Sequence, residues 1–293
     1  MSQADMLFDL LRPERLTAIV DIGANPIDGD PPYKPMLDAG LCTVTGFEPQ
    51  PDALAALERR KGPRETYLPH AVGDGRARTL HVCQERGMSS LLPPDRARLG
   101  LFNDFAIHGL VEGEMRIATR RLDDIKEIGA MDFLKIDVQG GELDVFKSGR
   151  RLLGRAVAVQ TEVSFVPLYR GQPAIGAIDT FLRNLGFLPH CFAELKFRPL
   201  APLVVDADPQ KGVRQLLEAD LVYVRDFTQA DNMTSEQWKH LALIAHHCYD
   251  SIDLAYRAVA AAAQMAGVRP DAPDQYLHAL RAQGMQVSKA GAA

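Results

Sequence analysis

The chain has 293 residues, 46% of them hydrophobic and 24% charged, which is the profile of a globular protein rather than a disordered or fibrous one. Its 33 Lys and Arg against 38 Asp and Glu leave a net charge of −5, the wrong sign for a chain whose main partner is a polyanion, so nucleic acid is not expected. Charges or prolines break every apolar run short of the roughly 18 residues a bilayer span needs, and mean hydropathy is −0.11, so no membrane partner is expected.

The stretch MSQADMLFDLLRPERL lacks the basic n-region and small-residue cleavage site of a secretory signal, which makes the cytoplasm the expected location. Cys42, Cys83, Cys191 and Cys248 are scattered without a C-x-x-C pair, so neither a zinc ribbon nor a disulfide framework is indicated.

Seven apolar runs read as strands: TAIVDIG (17–23), CTVTGFEP (42–49), ETYLPHAVG (65–73), MDFLKIDV (131–138), AVAVQTEV (156–163), the stretch around FLPHCF (187–192) and DLVYVRD (220–226). Their near-continuous Val, Ile and Leu content suits strands covered on both faces, and helix-patterned stretches at 51–61, 141–153 and 174–186 alternate with them. The pattern predicts an α/β domain with a mainly parallel sheet and helices on both faces. Between 76 and 120, RTLHVC and EMRIATRRL read as two more strands around a GMSSLLPPD loop, and a short helix is expected at 123–128.

The strand pattern ends near Phe227, so the chain divides into a sheet domain over 1–228 and a helical extension over 229–293. Thr234 and Gln237 form a capping box, and Trp238, Leu241, Ile244, Ala245 and Cys248 make an apolar face, with a break near Asp250. A third helix is expected after Asp271. The apolar face requires a cover, either the sheet domain or a second subunit, and a homodimer through these helices is the favoured expectation.

The first strand ends in VDIGANPIDG. A glycine there lets the backbone turn sharply against a ligand, but no G-x-G-x-x-G follows Gly23, so the nicotinamide-dinucleotide cradle is absent as written. The second strand ends at Glu48, 25 residues beyond Gly23, where a carboxylate can accept from both hydroxyls of a ribose. Taken singly, Gly23 is equally a bare tight turn and Glu48 a solvated acid at the helix start before Pro51. Together they point to a nucleoside-bearing ligand.

DFLKIDVQGGE then carries Asp137 at the end of a buried strand, with Lys135 on the same strand face and Glu142 opening the next helix. Glu162 ends the following strand, beside Asp137 if the two strands are neighbours, and two such carboxylates suit either a divalent metal or acid–base chemistry. The plainer alternative pairs Glu162 with Arg120, Arg121 or Lys135.

These residues resemble the FkbM-type methyltransferases, which use S-adenosylmethionine on the class I methyltransferase (Rossmann-like) fold with its seven-stranded sheet. The resemblance rests on VDIGAN (20–25), GFEPQP (46–51), HAVGDG (70–75), MSSL (88–91), TRRLDDI (119–125), FLKIDVQGGELDVFKSG (133–149) and QTEVSFVPLYRGQ (160–172), in the family's order over about residues 20–226. It implies that S-adenosylmethionine is bound by Asp21, Gly23, Asn25, Glu48, Asp74, Ser90 and Asp137. The glycine turn would lie against its methionine part, Glu48 at the ribose, Asp74 and the Ser89–Ser90 loop near the adenine or as a lid, and Asp137 beside the sulfonium.

The catalytic candidates are Asp137, Glu142 and Glu162, with His70 a further possible base. A divalent metal held by Asp137 and Glu162 is an alternative that is not preferred. Pocket walls are expected from Tyr169, Phe165, Pro167 and Met88 and from the helical tail. The family usually has glycine where Ile27 stands and an acid where Gln139 stands, and IDGDPPYKP is an insertion. Its Asp30-Pro-Pro-Tyr33 looks like the motif that holds a planar amine in N-methyltransferases, but it lies after the first strand rather than the fourth and reads as a kinked loop. The expected activity is O-methylation of a hydroxyl on a small-molecule or glycan acceptor: a sugar, glycolipid or secondary metabolite. The alternatives are an N-methyltransferase and a non-catalytic cofactor-binding module.

Overall fold

The structure is a computed structural model that describes residues 5–25 and 29–289. In chain order its first half contains α1 (Met6–Leu11), β1 (Thr17–Ile22), α2 (Lys34–Ala39), β2 (Cys42–Phe47), α3 (Pro51–Arg60), β3 (Glu65–Leu68), β4 (Ala71–Gly73) and β5 (Ala77–Cys83). Two one-turn helices follow, α4 (Arg96–Leu99) and α5 (Phe105–His108), then β6 (Val111–Arg121), β7 (Phe133–Ile136), α6 (Glu142–Ser148), α7 (Arg150–Leu153) and β8 (Ala158–Ser164). The chain continues through α8 (Ile175–Asn184), β9 (Phe187–Phe197), β10 (Leu216–Arg225), α9 (Ser235–Tyr249), α10 (Ile252–Gln264) and α11 (Ala272–Ala282).

The main sheet has seven strands in the order β3-β2-β1-β7-β8-β10-β9, and β10 alone runs against its neighbours. The chain starts at the centre, winds outward through β2 and β3, and returns to β7 beside β1. Ligands bind in such sheets at the strand carboxyl ends where the winding reverses, so the gap between β1 and β7 is where a site belongs.

Alternation sets the two cores. Ile19 faces one side with Val44, Phe133, Trp238, Leu241 and Val259, whereas Val20 faces the other with Leu134, Val159, Phe146 and Ile178. The apolar stripe of α9 therefore finds its cover inside the chain: Trp238 and Leu241 are fully buried against the sheet. The uncovered face that suggested a homodimer is occupied by the chain's own strands. The capping box forms as expected, with Thr234 Oγ1 accepting from the Gln237 N–H and Gln237 Oε1 from the Thr234 N–H, and Asp250 ends α9 in the left-handed region.

Four expected elements come out differently. ETYLPHAVG is not one strand: Pro69 has no N–H to extend the ladder, so β3 stays in the main sheet while β4 joins β6 and β5 in a separate three-stranded sheet. The helix expected over 141–153 splits at Gly149, where any Cβ would meet Leu122 at 2.4 Å. The helix expected at 123–128 is a single turn over Leu122–Asp124, because Asp123 instead accepts from the N–H groups of Arg151 and Leu152. The strand around 187–192 extends to Phe197 as half of a long pair with β10. Helix α1, unforeseen, and α2, into which the kinked Asp30-Pro-Pro-Tyr33 loop leads, bury Leu7, Leu11 and Met36 under the tail helices.

Candidate active site

The register of β1 on β7 sets Asp21 beside Lys135 and Ile22 beside Ile136, so the chain leaves both strands at one place, through Gly23 and Asp137. Gly23 has φ +79°, a conformation that disfavours any side chain, and the N–H groups of Gly23 and Ala24 both donate to Phe47 O at the end of β2. The turn is thus pinned between its two neighbouring strands. Glu48 follows Phe47 directly; it is only 3% exposed, its Oε1 accepts from the Gln50 N–H at 2.7 Å, and burial raises its carboxyl above the usual range.

Gly23, Asn25, Glu48, His70, Ser90 and Asp137 line one cavity of about 720 Å³, which continues to Glu162 and the β9–β10 pair. The cavity has room for a nucleoside with an amino-acid arm and for part of an acceptor. A bare turn at one wall and a buried acid at the other fit S-adenosylmethionine: the turn admits backbone approach, and the acid supplies acceptors for ribose hydroxyls.

Gln139 organises the far end. Its backbone is left-handed (φ +53°), and its Nε2 donates to Asp137 Oδ1 at 2.8 Å and to Glu162 Oε2 at 3.2 Å. Its Oε1 accepts from Tyr169 Oη, and its carbonyl from Ser90 Oγ. Burial, with the Asp137 and Glu218 charges adding to it, holds the Glu162 carboxyl well above the usual range, while Lys196 at 3.5 Å opposes that shift. One oxygen from each of Asp137, Glu142 and Glu162 lies within 4.8 Å of the others. The Gln139 amide, a donor, stands between Asp137 and Glu162 where a bridging cation would sit.

The expected site residues therefore separate into those in the cavity and those behind it. Asp21 is behind the glycine turn: its Oδ2 accepts from Tyr33 Oη at 2.6 Å and Lys135 lies 3.6 Å from Oδ1. Asp74, expected at the adenine, is held instead in the turn after β4 by Arg78 at 2.5 Å and the Arg76 N–H, and is not among the cavity's lining residues. Glu142 is also outside the lining, with its Oε1 accepting from the N–H groups of Val138 and Gly140; burial pushes its carboxyl up to about 7. Ser90 lines the cavity, but its hydroxyl is committed to Gln139 and to the Leu92 N–H.

Of the four expected wall residues only Met88 lines the cavity; Tyr169 is fully buried behind Gln139, and Phe165 packs against the core under α8. Ile27 lies outside the described residues.

Six charged cavity residues escaped the sequence reading: Glu85 and Arg86 just before Met88, Glu194, Lys196 and Arg198 from β9 and the residue just beyond it, and Glu218 from β10. Burial raises Glu218 to about 7, against the opposing pull of Lys196. The signal was present, since ELKFR repeats charge at every second residue and so aims three charges to one side of a strand.

A second, larger cavity of about 1080 Å³ shares Asn25, Asp137 and Glu194 with the first. Its floor is a polar row across the sheet: Lys135 beside Asp21, Gln160 Nε2 donating to Asp220 Oδ2, and Tyr249 Oη donating to Gln160 Oε1. Burial acts to lower the Lys135 ammonium, but the Asp21, Asp137, Asp220 and Glu162 carboxylates outweigh it and hold Lys135 above its ordinary value.

The sheet order with its one reversed strand, and the cavity at the ends of β1, β2 and β7, define a class I methyltransferase fold. The methyltransferase FkbM domain model matches residues 21–189, and the chain belongs to that family of S-adenosylmethionine-dependent methyltransferases. A 2-O-methyltransferase, NoeI of Sinorhizobium fredii, is 30% identical over 172 residues, which cover 55% of this chain and 68% of that protein.

Among solved structures, a precorrin-6y C5,15-methyltransferase from Geobacter metallireducens aligns with 11% identity and a TM-score of 0.36 over 75% of this chain and 85% of that one. A mutant 16S rRNA adenine methyltransferase from Catenulisporales acidiphilia aligns with 12% identity and a TM-score of 0.35 over 77% and 95%. Among the described residues no helix is long and apolar enough to cross a membrane.

Proposed function

We propose that this methyltransferase acts on oxygen, methylating a hydroxyl of a sugar, glycolipid or other secondary metabolite. The observation that carries the reading is the cavity running from Glu48 past Gly23 and Asn25 to the Asp137–Glu162 pair. The 2-O-methyltransferase relative supports oxygen as the target.

Bound in the cavity, S-adenosylmethionine supplies an electrophilic methyl group on a sulfonium. Glu48 accepts from the ribose hydroxyls, and the Gly23–Asn25 turn lets the backbone approach the amino-acid arm. In this reading Asp137 and Glu162 are the carboxylates at hand to take the acceptor's proton as its oxygen receives the methyl, the Glu162 carboxyl being held well above the usual range by burial. Positioning contributes most of the remaining effect, because a sulfonium needs no covalent help from the protein. The chain's own carboxylates serve in this reading, without a divalent metal.

The N-methyltransferase alternative rested on Tyr33. Asp30, Pro31, Pro32 and Tyr33 line the second cavity, but the Tyr33 ring is 2% exposed and its hydroxyl donates to Asp21, which favours its holding the glycine turn from behind.

Calorimetric titration with S-adenosylmethionine and S-adenosylhomocysteine, with NAD as control, tests the cofactor. Transfer of labelled methyl to hydroxylated metabolites and to their amino analogues then tests the atom. Binding of the sulfur ligands with methylation of the hydroxyl compounds is expected; methylation of the amino analogues alone would overturn the oxygen assignment.

A further inference from the structure

Four neighbouring strands change character at one level of the sheet. On the face that α9 covers, β1, β7, β8 and β10 bury Ile19, Phe133, Ala158 and Val222 in the core. Two positions nearer the cavity on each strand, the same face carries Asp21, Lys135, Gln160 and Asp220 instead. Register aligns them: Asp21 pairs with Lys135, Lys135 pairs with Gln160, and Gln160 Nε2 donates to Asp220 Oδ2 at 3.0 Å. All four line the second cavity, and the helical tail, expected as a pocket wall, joins them there through Tyr249.

A polar row across the middle of a sheet is costly to bury unless something polar meets it. The row has capacity left for a ligand. Lys135 Nζ carries three donors, and its partners Gly23 O and Asp21 Oδ1 lie at 3.4 and 3.6 Å. Donors on Lys135 and Gln160 stand between acceptors on Asp21 and Asp220, a mixture that suits hydroxyls, each of which both donates and accepts. A phosphate there would face the carboxylates, an ammonium would lie against Lys135, and an apolar acceptor would leave the row unpaired. Phe192 of β9, 49% exposed and lining the same cavity, sets a flat apolar face beside these polar groups, the combination that a sugar ring with its hydroxyls requires.

We infer that the second cavity is the acceptor groove and that it takes a sugar unit, with hydroxyls on the Lys135–Gln160–Asp220 row and a ring face against Phe192. The inference rests on the proposed methylation of oxygen and narrows the acceptor from any hydroxylated metabolite to one that carries a sugar. The two cavities share Asn25, Asp137 and Glu194, so the sugar hydroxyl reaches Asp137 from the sheet face and the first cavity is left to the cofactor. Two separate approaches to one carboxylate suit a displacement, whose nucleophile and leaving group lie on opposite sides of the carbon transferred.

The test is binding of the full chain to immobilised neutral mono- and oligosaccharides, with and without S-adenosylhomocysteine, followed by calorimetry with the soluble form of the sugar retained best. Phe192→Ala is expected to weaken that sugar roughly fivefold, and Asp220→Asn, which keeps an oxygen for Gln160, roughly tenfold. S-adenosylhomocysteine affinity should stay within about twofold of wild type in both variants, because neither residue lines the first cavity. The melting temperature of Phe192→Ala should not move, since that ring is half exposed. Retention of no sugar in either condition overturns the inference, as does wild-type sugar affinity in both variants. The oxygen assignment falls separately: variant-sensitive sugar binding with methyl transfer only to amino analogues supports the groove and overturns that assignment.

Discussion

A Cβ on Gly23 would lie 1.9 Å from the carbonyl oxygen of Asp137. The exits of β1 and β7 are therefore in backbone contact, and the two residues hold one another at the place where the winding of the sheet reverses. Gly23→Ala must push the turn away from Asp137 while also bearing a left-handed backbone, a strain of about 1–2 kcal/mol before any clash. Loss of measurable S-adenosylhomocysteine binding is expected in calorimetry, together with a lower melting temperature. Wild-type affinity in this variant would show that the ligand does not rest on the turn.

Glu48 separates two roles of one side chain. Glu48→Gln keeps an oxygen for the Gln50 N–H but loses the charge, and Glu48→Ala loses both. If the carboxylate holds ribose hydroxyls, Glu48→Ala weakens S-adenosylhomocysteine by roughly 10- to 100-fold, with Glu48→Gln between it and wild type. A melting temperature that falls in Glu48→Ala without change in affinity would assign the residue to folding alone.

Glu142 and Glu218 are both raised by burial to about 7, so between the ordinary glutamate value of 4.5 and that point the folded protein binds more protons than the unfolded chain. Their favourable contribution is complete below the ordinary value and is lost as pH rises through neutrality. Stability should therefore decline from pH ~5 to pH ~8 in denaturant titrations. Glu142→Gln retains an oxygen for Val138 and Gly140, removes one titration, and should be more stable than wild type at pH ~8 by about 1–3 kcal/mol. A variant with the same pH dependence as wild type would count against Glu142 as a source of the decline.

Tyr33→Phe removes the hydroxyl donor to Asp21 Oδ2, one of whose oxygens already lacks a hydrogen bond. Destabilisation of roughly 1–3 kcal/mol is expected, with the choice between oxygen and nitrogen acceptors unaltered. A changed acceptor choice with unchanged stability would return the Asp30-Pro-Pro-Tyr33 segment to the chemistry.

The helices after Phe227 cover the sheet face that carries Ile19, Val44 and Phe133. Truncation at that point should abolish cooperative thermal unfolding, and Trp238→Ala in the full chain should cost about 3–5 kcal/mol. A truncated protein that remains monodisperse and melts cooperatively would show that the sheet domain stands alone.

The sequence by itself determined the alternation of strands and helices, the glycine turn after β1, the acid after β2, and the carboxylates after β7 and within β8. Each of those signals is local: a run of apolar residues, a glycine at a strand end, a charge where burial is otherwise uniform. It also placed the start of α9, because a capping box is a contact between residues three apart.

Tertiary structure alone decided which charges meet. Glu142 and Asp74 have the composition of site residues, yet one clamps the turn before α6 and the other the turn after β4, since each has backbone N–H groups within reach. Glu218 and Lys196 sit far along the chain from Asp137 and come to the cavity only because β10 reverses and pairs β9 at the sheet edge. The tail's cover was likewise a long-range matter: an apolar stripe specifies that something must bury it, but only the assembled sheet, with Ile19, Val44 and Phe133 on one face, specifies what does.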